Sequence, residues 1–290
     1  MAEVKTILVT GSEGQLGKEL QDLQTSYPEF NFIFLNRQTL DISDEASIQK
    51  TFKQYHPQYV INCAAYTAVD KAETEREKSM LINGQAVGLL AKACDAQAAR
   101  FIHISTDYVF AGENKTPYRE DDPIDPVNYY GQTKAEGEKQ AFTNCKEAVV
   151  IRTSWVYSFH GNNFVKTMIR LMKERDELRV VDDQTGSPTY AADLAAAIMQ
   201  IIQLEKWTPG IFHFSNEGVI TWYEFAVAIR DLIASNCNVV PITTQDFPTT
   251  AKRPAYSVLN KEKICAAYGI TLKDWRQSLQ QCIAKFEIAS

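Results

Sequence analysis

The chain has 290 residues, 45% of them hydrophobic and 23% charged, with a formal net charge of −6. That length and balance suit one large α/β domain or two intimately packed ones around a substantial core. The negative balance argues against a nucleic-acid partner or an anionic membrane surface, and no apolar run reaches membrane-spanning length.

The amino terminus runs at once into an apolar strand pattern, Val4 to Thr10, too short for a signal-peptide core. Directly after it comes Gly11-Ser12-Glu13-Gly14-Gln15-Leu16-Gly17, which opens a helix expected over Gln15 to Ser26. Glycines between a strand and a helix allow a sharp turn and a close backbone approach to a pyrophosphate, and the helix amino terminus attracts its charge. The spacing is G-x-x-G-x-x-G rather than G-x-G-x-x-G. Gly11, Glu13, Gly14, Gln15, Leu16 and Gly17 are therefore expected to form a dinucleotide-binding turn.

The next strand, Asn31 to Leu35, ends at Asn36-Arg37, where an NAD-specific protein would place an acidic residue. An arginine there suits a 2′-phosphate, which favours NADPH and leaves NADH as the alternative. Asp41-Ile42 could border the adenine, or Asp41 could cap the helix expected over Asp44 to Tyr55. A third strand, Tyr59 to Cys63, runs into Cys63-Ala64-Ala65-Tyr66, whose small residues would let a cofactor come close at the sheet edge. A long helix is expected over Asp70 to Gln97, followed by a strand from Phe101 to Ser105.

Ser105-Thr106-Asp107-Tyr108 ends that strand at the edge where ligands of open α/β sheets gather. A helix over Tyr130 to Asn144 then carries Tyr130 and Lys134 one turn apart on one face. A cation about 4 Å from a phenolate contributes roughly 4 kcal/mol at an effective dielectric of about 20, or about three pKa units. Lys134 is therefore expected to lower the Tyr130 phenol and make it a usable proton donor, with the Thr106 hydroxyl on the same substrate oxygen. The strand Val149 to Thr153 completes a βαβ alternation that predicts an α/β, doubly wound, Rossmann-like parallel sheet.

Beyond Trp155 the pattern loosens into a smaller α+β lobe, with helices near Phe164 to Glu174, Ala191 to Leu204, Thr221 to Ala234 and Leu272 to Ala284. Residues 1–155, with elements from about 188–210, are expected to bind the dinucleotide, and 156–290 mainly the substrate. The six cysteines are scattered, without a C-x-x-C pair, and read as reduced thiols of a cytoplasmic protein. The four histidines make no metal spacing, and His103 and His213 read as structural residues inside strands.

The Gly11 to Gly17 loop, Ser105-Thr106-Asp107-Tyr108-Val109-Phe110 and Tyr130-x-x-x-Lys134 together resemble the extended short-chain dehydrogenase/reductase superfamily. Within it the chain is similar to the dTDP-4-dehydrorhamnose reductases along nearly its whole length. The segments that carry this include Asn62 to Glu73, Arg152 to Tyr157, Gly161 to Phe164, Asp183 to Thr189 and Arg253-Pro254.

The resemblance implies reduction of the 4-keto group of dTDP-4-dehydro-L-rhamnose by a nicotinamide. Tyr130 would donate the proton, Lys134 would hold the nicotinamide ribose, and Thr106 would polarise the carbonyl. Asp107, Tyr108 and Trp155 would contact the sugar, and Asn163 and Arg253 the nucleotide or its diphosphate. Some relatives form a metal-linked dimer through glutamates. Here Glu19 is present but Ala192 stands where a second acidic ligand is expected, so no metal and a monomer or weak homodimer are expected. A 4-epimerase and a non-catalytic NADP-binding subunit are the alternatives; a dehydratase would want a carboxylate where Tyr108 stands.

Overall fold

Six strands form one parallel sheet: Lys5–Thr10 (β1), Phe30–Leu35 (β2), Tyr59–Asn62 (β3), Arg100–Thr106 (β4), Ala148–Thr153 (β5) and Gly210–Phe214 (β6). Their spatial order is β6-β5-β4-β3-β1-β2, in a computed structural model that describes residues 4–204 and 206–288. Strand side chains alternate in direction, so each strand feeds two layers. Ile7 and Val9 of β1 pack with the helices Gln15–Leu23 (α1) and Ala191–Gln203, while Leu8 between them packs with Glu45–Tyr55 (α2) and Ala86–Ala96 (α3). This is the Rossmann-like α/β arrangement expected from the alternating pattern.

Chain order reverses at β1, whose neighbours are β2 on one side and β3 on the other. The carboxyl ends of β1 and β3 therefore diverge into loops on opposite sides, which opens a crevice there. The sheet is completed from far downstream, because β6 pairs with β5 across residues that lie between them in a second, smaller body.

The expected long helix over Asp70 to Gln97 is interrupted. Val69–Ala72 is a separate turn, and Arg76–Met80 joins α3 through a π turn at Leu81–Gln85. The wider turn places Asn83, whose carboxamide accepts from the Tyr66 N–H at 2.8 Å and donates to the Tyr66 carbonyl at 3.0 Å. Asn83 also reaches Thr133 on the helix Tyr129–Asn144 (α4) at 3.0 Å. Gly137 of α4 lies so close to Asn83 that a Cβ would meet its carbonyl oxygen at 2.1 Å. Such side-chain pairing across helices is invisible in hydrophobic periodicity.

Ala191–Gln203 (α6) belongs to the sheet layer, whereas the smaller body contains Phe164–Glu174 (α5), Trp222–Leu232 (α7) and Trp275–Ile288 (α8). Glu177–Val181 and Asn238–Ile242 pair as parallel strands beside them. Their apolar faces meet around Phe225, Trp275, Leu279 and Val165. The polar stretch Asp182 to Tyr190 is not all loop: Thr185–Gly186 and Thr189–Tyr190 pair with Ile220–Thr221 and Val156–Tyr157. All six cysteines are unpaired thiols. No described helix is long and apolar enough to cross a membrane.

Candidate active site

The crevice at the strand reversal is a cleft of about 1040 Å³ between the sheet edge and the smaller body. It gathers the expected cofactor residues Gly11, Glu13, Gly14, Gln15, Leu16, Asn36, Arg37, Asp41, Ile42, Cys63, Ala64, Ala65 and Tyr66. Gly17 does not face it. A Cβ on Gly17 would sit 2.6 Å from the Gly11 carbonyl oxygen and the Ser12 Cα, so its role is to let α1 close on the turn.

Gly11 takes a left-handed φ of 63°, and a Cβ there would lie 2.6 Å from the Ala64 nitrogen. The turn after β1 is thus pressed against the loop after β3, and the α1 amino terminus behind it carries no acidic residue in its first turn. A glycine turn of this kind at a helix amino terminus, with the Glu13 carboxylate held by Lys18 at 2.8 Å, fits a dinucleotide pyrophosphate. Arg37 is exposed at the far end of the cleft and has no ion-pair partner among the described residues. Asp41 also lines this end of the cleft, beside Arg37, and stays ionised. Hydrogen bonds from the Ser43 side chain and backbone hold it below the usual carboxylate range, and the Arg37 charge adds to this. Burial pushes the Cys63 thiol far up, so it is a neutral wall.

Thr106, Asp107, Tyr108, Tyr130, Lys134 and Trp155 line the other half of the cleft. Asn128 caps α4 by accepting from the Gly131 N–H at 2.8 Å, which fixes the first turn and points Tyr130 inward. Tyr129 turns the other way, its ring under the Arg76 guanidinium at 4.8 Å. The rings of Tyr108 and Tyr130 meet edge to face with centroids 5.9 Å apart.

The lowering of Tyr130 expected from Lys134 is opposed by burial of the phenol. Burial pushes the Tyr130 phenol above its ordinary value, the Asp107 carboxylate adds to this, and a hydrogen bond with Thr106 opposes it. Lys134 is itself buried, donates to the Ile104 carbonyl at 2.6 Å, and is brought down to about 8 by burial, with the Glu138 charge opposing.

Thr106 caps the turn Asp107–Val109, accepting from the Tyr108 N–H at 3.2 Å and donating to Asp107 Oδ1 at 2.9 Å. Burial raises the Asp107 carboxyl to about 6, against hydrogen bonds from Ser257 and Thr106. Its Oδ2 is a buried oxygen lacking a well-formed hydrogen bond, on a residue that lines the cleft. An acceptor in that position suits a ligand hydroxyl.

Trp155 adopts a left-handed φ of 48°, a conformation that costs a bulky residue about 1–3 kcal/mol and gathers at ligand sites. Its indole stacks on Trp222 at 3.6 Å and 11°, giving a flat apolar wall. Trp222 was missed by sequence reasoning. It opens α7 directly after the Thr221 cap, where an aromatic reads as core, and only the fold brings it to Trp155.

Two expected substrate contacts do not line the cleft. Asn163 caps α5 by accepting from the Lys166 N–H at 3.1 Å, and its amide donates to Gln15 and to the Ser158 carbonyl. Arg253 is bound to Asp70 at 2.8 Å, although its charge still reaches the half-buried Tyr108. Elsewhere, Glu19, Asp22 and His160 converge to within 4.8 Å, a grouping not visible in sequence spacing. Lys285 sits 3.1 Å from Glu19 and supplies a cation from the chain itself.

Comparison with known proteins agrees with this geometry. A family model described as RmlD substrate binding domain matches residues 5–288. A Bacillus subtilis spore coat polysaccharide biosynthesis protein, SpsK, is 44% identical, covering 95% of each chain. The dTDP-4-dehydrorhamnose reductase of Aggregatibacter actinomycetemcomitans is 41% identical, covering 97% of this chain and 99% of its own. The crystal structure of the Bacillus anthracis dTDP-4-dehydrorhamnose reductase in complex with NADP superposes with a TM-score of 0.94 at 37% identity, covering 98% of this chain and all of that one. The chain belongs to the dTDP-4-dehydrorhamnose reductase family, with the RmlD substrate-binding fold along its whole described length.

Proposed function

We propose that the chain reduces the 4-keto group of dTDP-4-dehydro-L-rhamnose to a hydroxyl with NADPH, giving dTDP-L-rhamnose. The observation that carries this reading is convergence: the Gly11 cradle and the Thr106, Tyr130 and Lys134 side chains open into one cleft of a reductase-family chain. NADPH, when bound, supplies the hydride. The chain's own residues do the rest.

The Gly11 to Leu16 turn and the α1 amino terminus bind the pyrophosphate, and Arg37 pairs with the 2′-phosphate. Tyr130 gives its proton to the developing alkoxide. A raised phenol can still do so, because an alkoxide is a far stronger base than a phenolate. Lys134 binds the nicotinamide ribose from the buried side. Asp107 Oδ2 accepts a sugar hydroxyl, and the Trp155 and Trp222 wall excludes water. Residues 1–155, with elements from about 188–210, form the dinucleotide half, and 156–290 mainly the sugar half. Lys285 on Glu19 supports a metal-free monomer or weak homodimer, and unpaired thiols support the cytoplasm as its compartment.

With the 4-keto-L-rhamnose nucleotide supplied, NADPH absorbance is expected to fall by one equivalent per sugar reduced, and faster than NADH at equal concentration. Cofactor binding without oxidation would overturn the reductase reading. Gly11→Ala adds strain of about 1–2 kcal/mol before any overlap with Ala64, and every 1.4 kcal/mol is about tenfold. NADPH affinity, followed by nucleotide fluorescence, is expected to drop at least tenfold. An unchanged Kd would remove the turn from the binding site.

A further inference from the structure

Behind Lys134 lies a buried polar chain that the catalytic roles above do not use. Lys134 Nζ stands 3.4 Å from His103 Nε2, and His103 Nδ1 stands 3.0 Å from Asn62 Nδ2. Asn62, His103 and Lys134 are each no more than 2% exposed. The orientation of Asn62 is fixed by a group that can only donate: the Ala64 N–H reaches its Oδ1 at 3.2 Å. The Thr10 hydroxyl adds a second bond to the same oxygen at 2.6 Å. Asn62 therefore turns its NH2 toward the histidine.

A neutral imidazole has one N–H and one bare nitrogen. With Asn62 donating to Nδ1, the proton belongs on Nε2 and points at the lysine. An ammonium has donors and no acceptor, so it cannot answer an Nε2–H. A neutral amine can, while still donating to the Ile104 carbonyl. Either Lys134 is uncharged in this arrangement or two hydrogens face each other across 3.4 Å.

We propose that His103 is a positioning residue for Lys134: Asn62 locks its imidazole in the Nε2–H tautomer, and that donor disfavours the charged form of the lysine. The role goes beyond the structural histidine expected from its place inside a strand. It rests on the reading of Lys134 as part of the reducing site. The charged groups around the lysine are few. Glu138, one turn along α4, favours its ammonium but is held by Arg152 of β5 at 2.7 Å, and Asp107 from the loop after β4 acts on Tyr130 beside it. His103 carries no charge of its own, being driven far below its ordinary range by burial and by the Lys134 charge. If charged Lys134 is the working form, turnover is lost as pH rises through its titration, near 8.

Asn62→Asp inverts the lock. A carboxylate accepts from Nδ1–H, which frees the Nε2 lone pair to accept from the ammonium. The alkaline limb of kcat/KM is expected to rise by about one unit or more, a tenfold shift in the proton affinity of Lys134. A limb that stays in place would overturn the proposal. Because a buried carboxylate could unfold the variant or act by its charge alone, the tautomer is read directly on the unaltered protein. Long-range proton–nitrogen correlation with ¹⁵N-histidine has only four residues to separate. The expected result is a bare Nδ1 and a protonated Nε2 at His103 from about pH 6 to 9, inverted in Asn62→Asp. An Nδ1–H or a doubly protonated ring in the unaltered protein would overturn the lock. Should the sugar nucleotide not be reduced, the reductase reading fails by itself, and the limb is read instead from the pH dependence of NADPH affinity.

Discussion

Tyr130→Phe is expected to lower kcat for the NADPH-dependent reduction by roughly 10²–10⁴-fold, the usual contribution of a positioned proton donor. Only one oxygen is removed. The ring keeps its edge-to-face contact with Tyr108 at 5.9 Å, and the Gly11 cradle lies elsewhere in the cleft, so NADPH affinity should change little. The phenol is the group placed to act: Thr106 has its hydroxyl proton on Asp107, and Lys134 has a donor committed to Ile104. Steady-state kinetics with a parallel fluorescence titration check this. A variant that keeps more than about a tenth of the parent kcat would move the proton donor elsewhere. A variant that loses cofactor binding in parallel would show the tyrosine to be a cofactor contact first.

The second large effect concerns stability. Glu138 accepts from Arg152 Nε at 2.8 Å and from its terminal nitrogen at 2.7 Å, with both side chains no more than 4% exposed. The guanidinium also lies over the Phe110 ring at 4.9 Å. Removing one partner of such a pair leaves an uncompensated buried charge, which costs about 3–5 kcal/mol. Glu138→Ala is therefore expected to lose that much in urea denaturation, with a fall in midpoint and little change in slope. Replacing both partners by apolar residues, Glu138→Leu with Arg152→Met, should recover most of it, because the pair repays little beyond its own desolvation. A loss below about 1 kcal/mol in the single variant would mean that water reaches the pair. The same change also removes the one charge that favours the Lys134 ammonium, so the alkaline limb should move down in Glu138→Ala.

What could be read before folding divides along a physical line. The Gly11 turn, the strand ends at Asn36, Cys63 and Thr106, and the helical pairing of Tyr130 with Lys134 all depend on local geometry. A strand followed by a glycine turn and a helix puts its loop at one sheet edge whatever surrounds it, and four residues along a helix always share a face. These positions were legible, and each lies in the cleft. Asn163 and Arg253 do not line the cleft, and each holds a protein partner that sequence cannot rank. An asparagine before a helix satisfies its free N–H groups, and an arginine takes the nearest carboxylate, here Asp70 some 183 residues away.

By itself, then, the sequence determined the alternation of strands and helices, the cofactor turn, the facing pair on α4 and membership in a reductase family. Only the tertiary structure decided the surroundings of that pair. Protonation depends on burial and on partners from other segments: Asp107 and Thr106 set the phenol, while Ile104, His103 and Glu138 surround the lysine, and those contacts exist only once β3, β4 and β5 lie side by side. The i,i+4 spacing correctly brought Tyr130 and Lys134 to one site. It could not show that the lysine is desolvated there, and desolvation, acting on an ammonium with no water to replace its partners, outweighs the spacing.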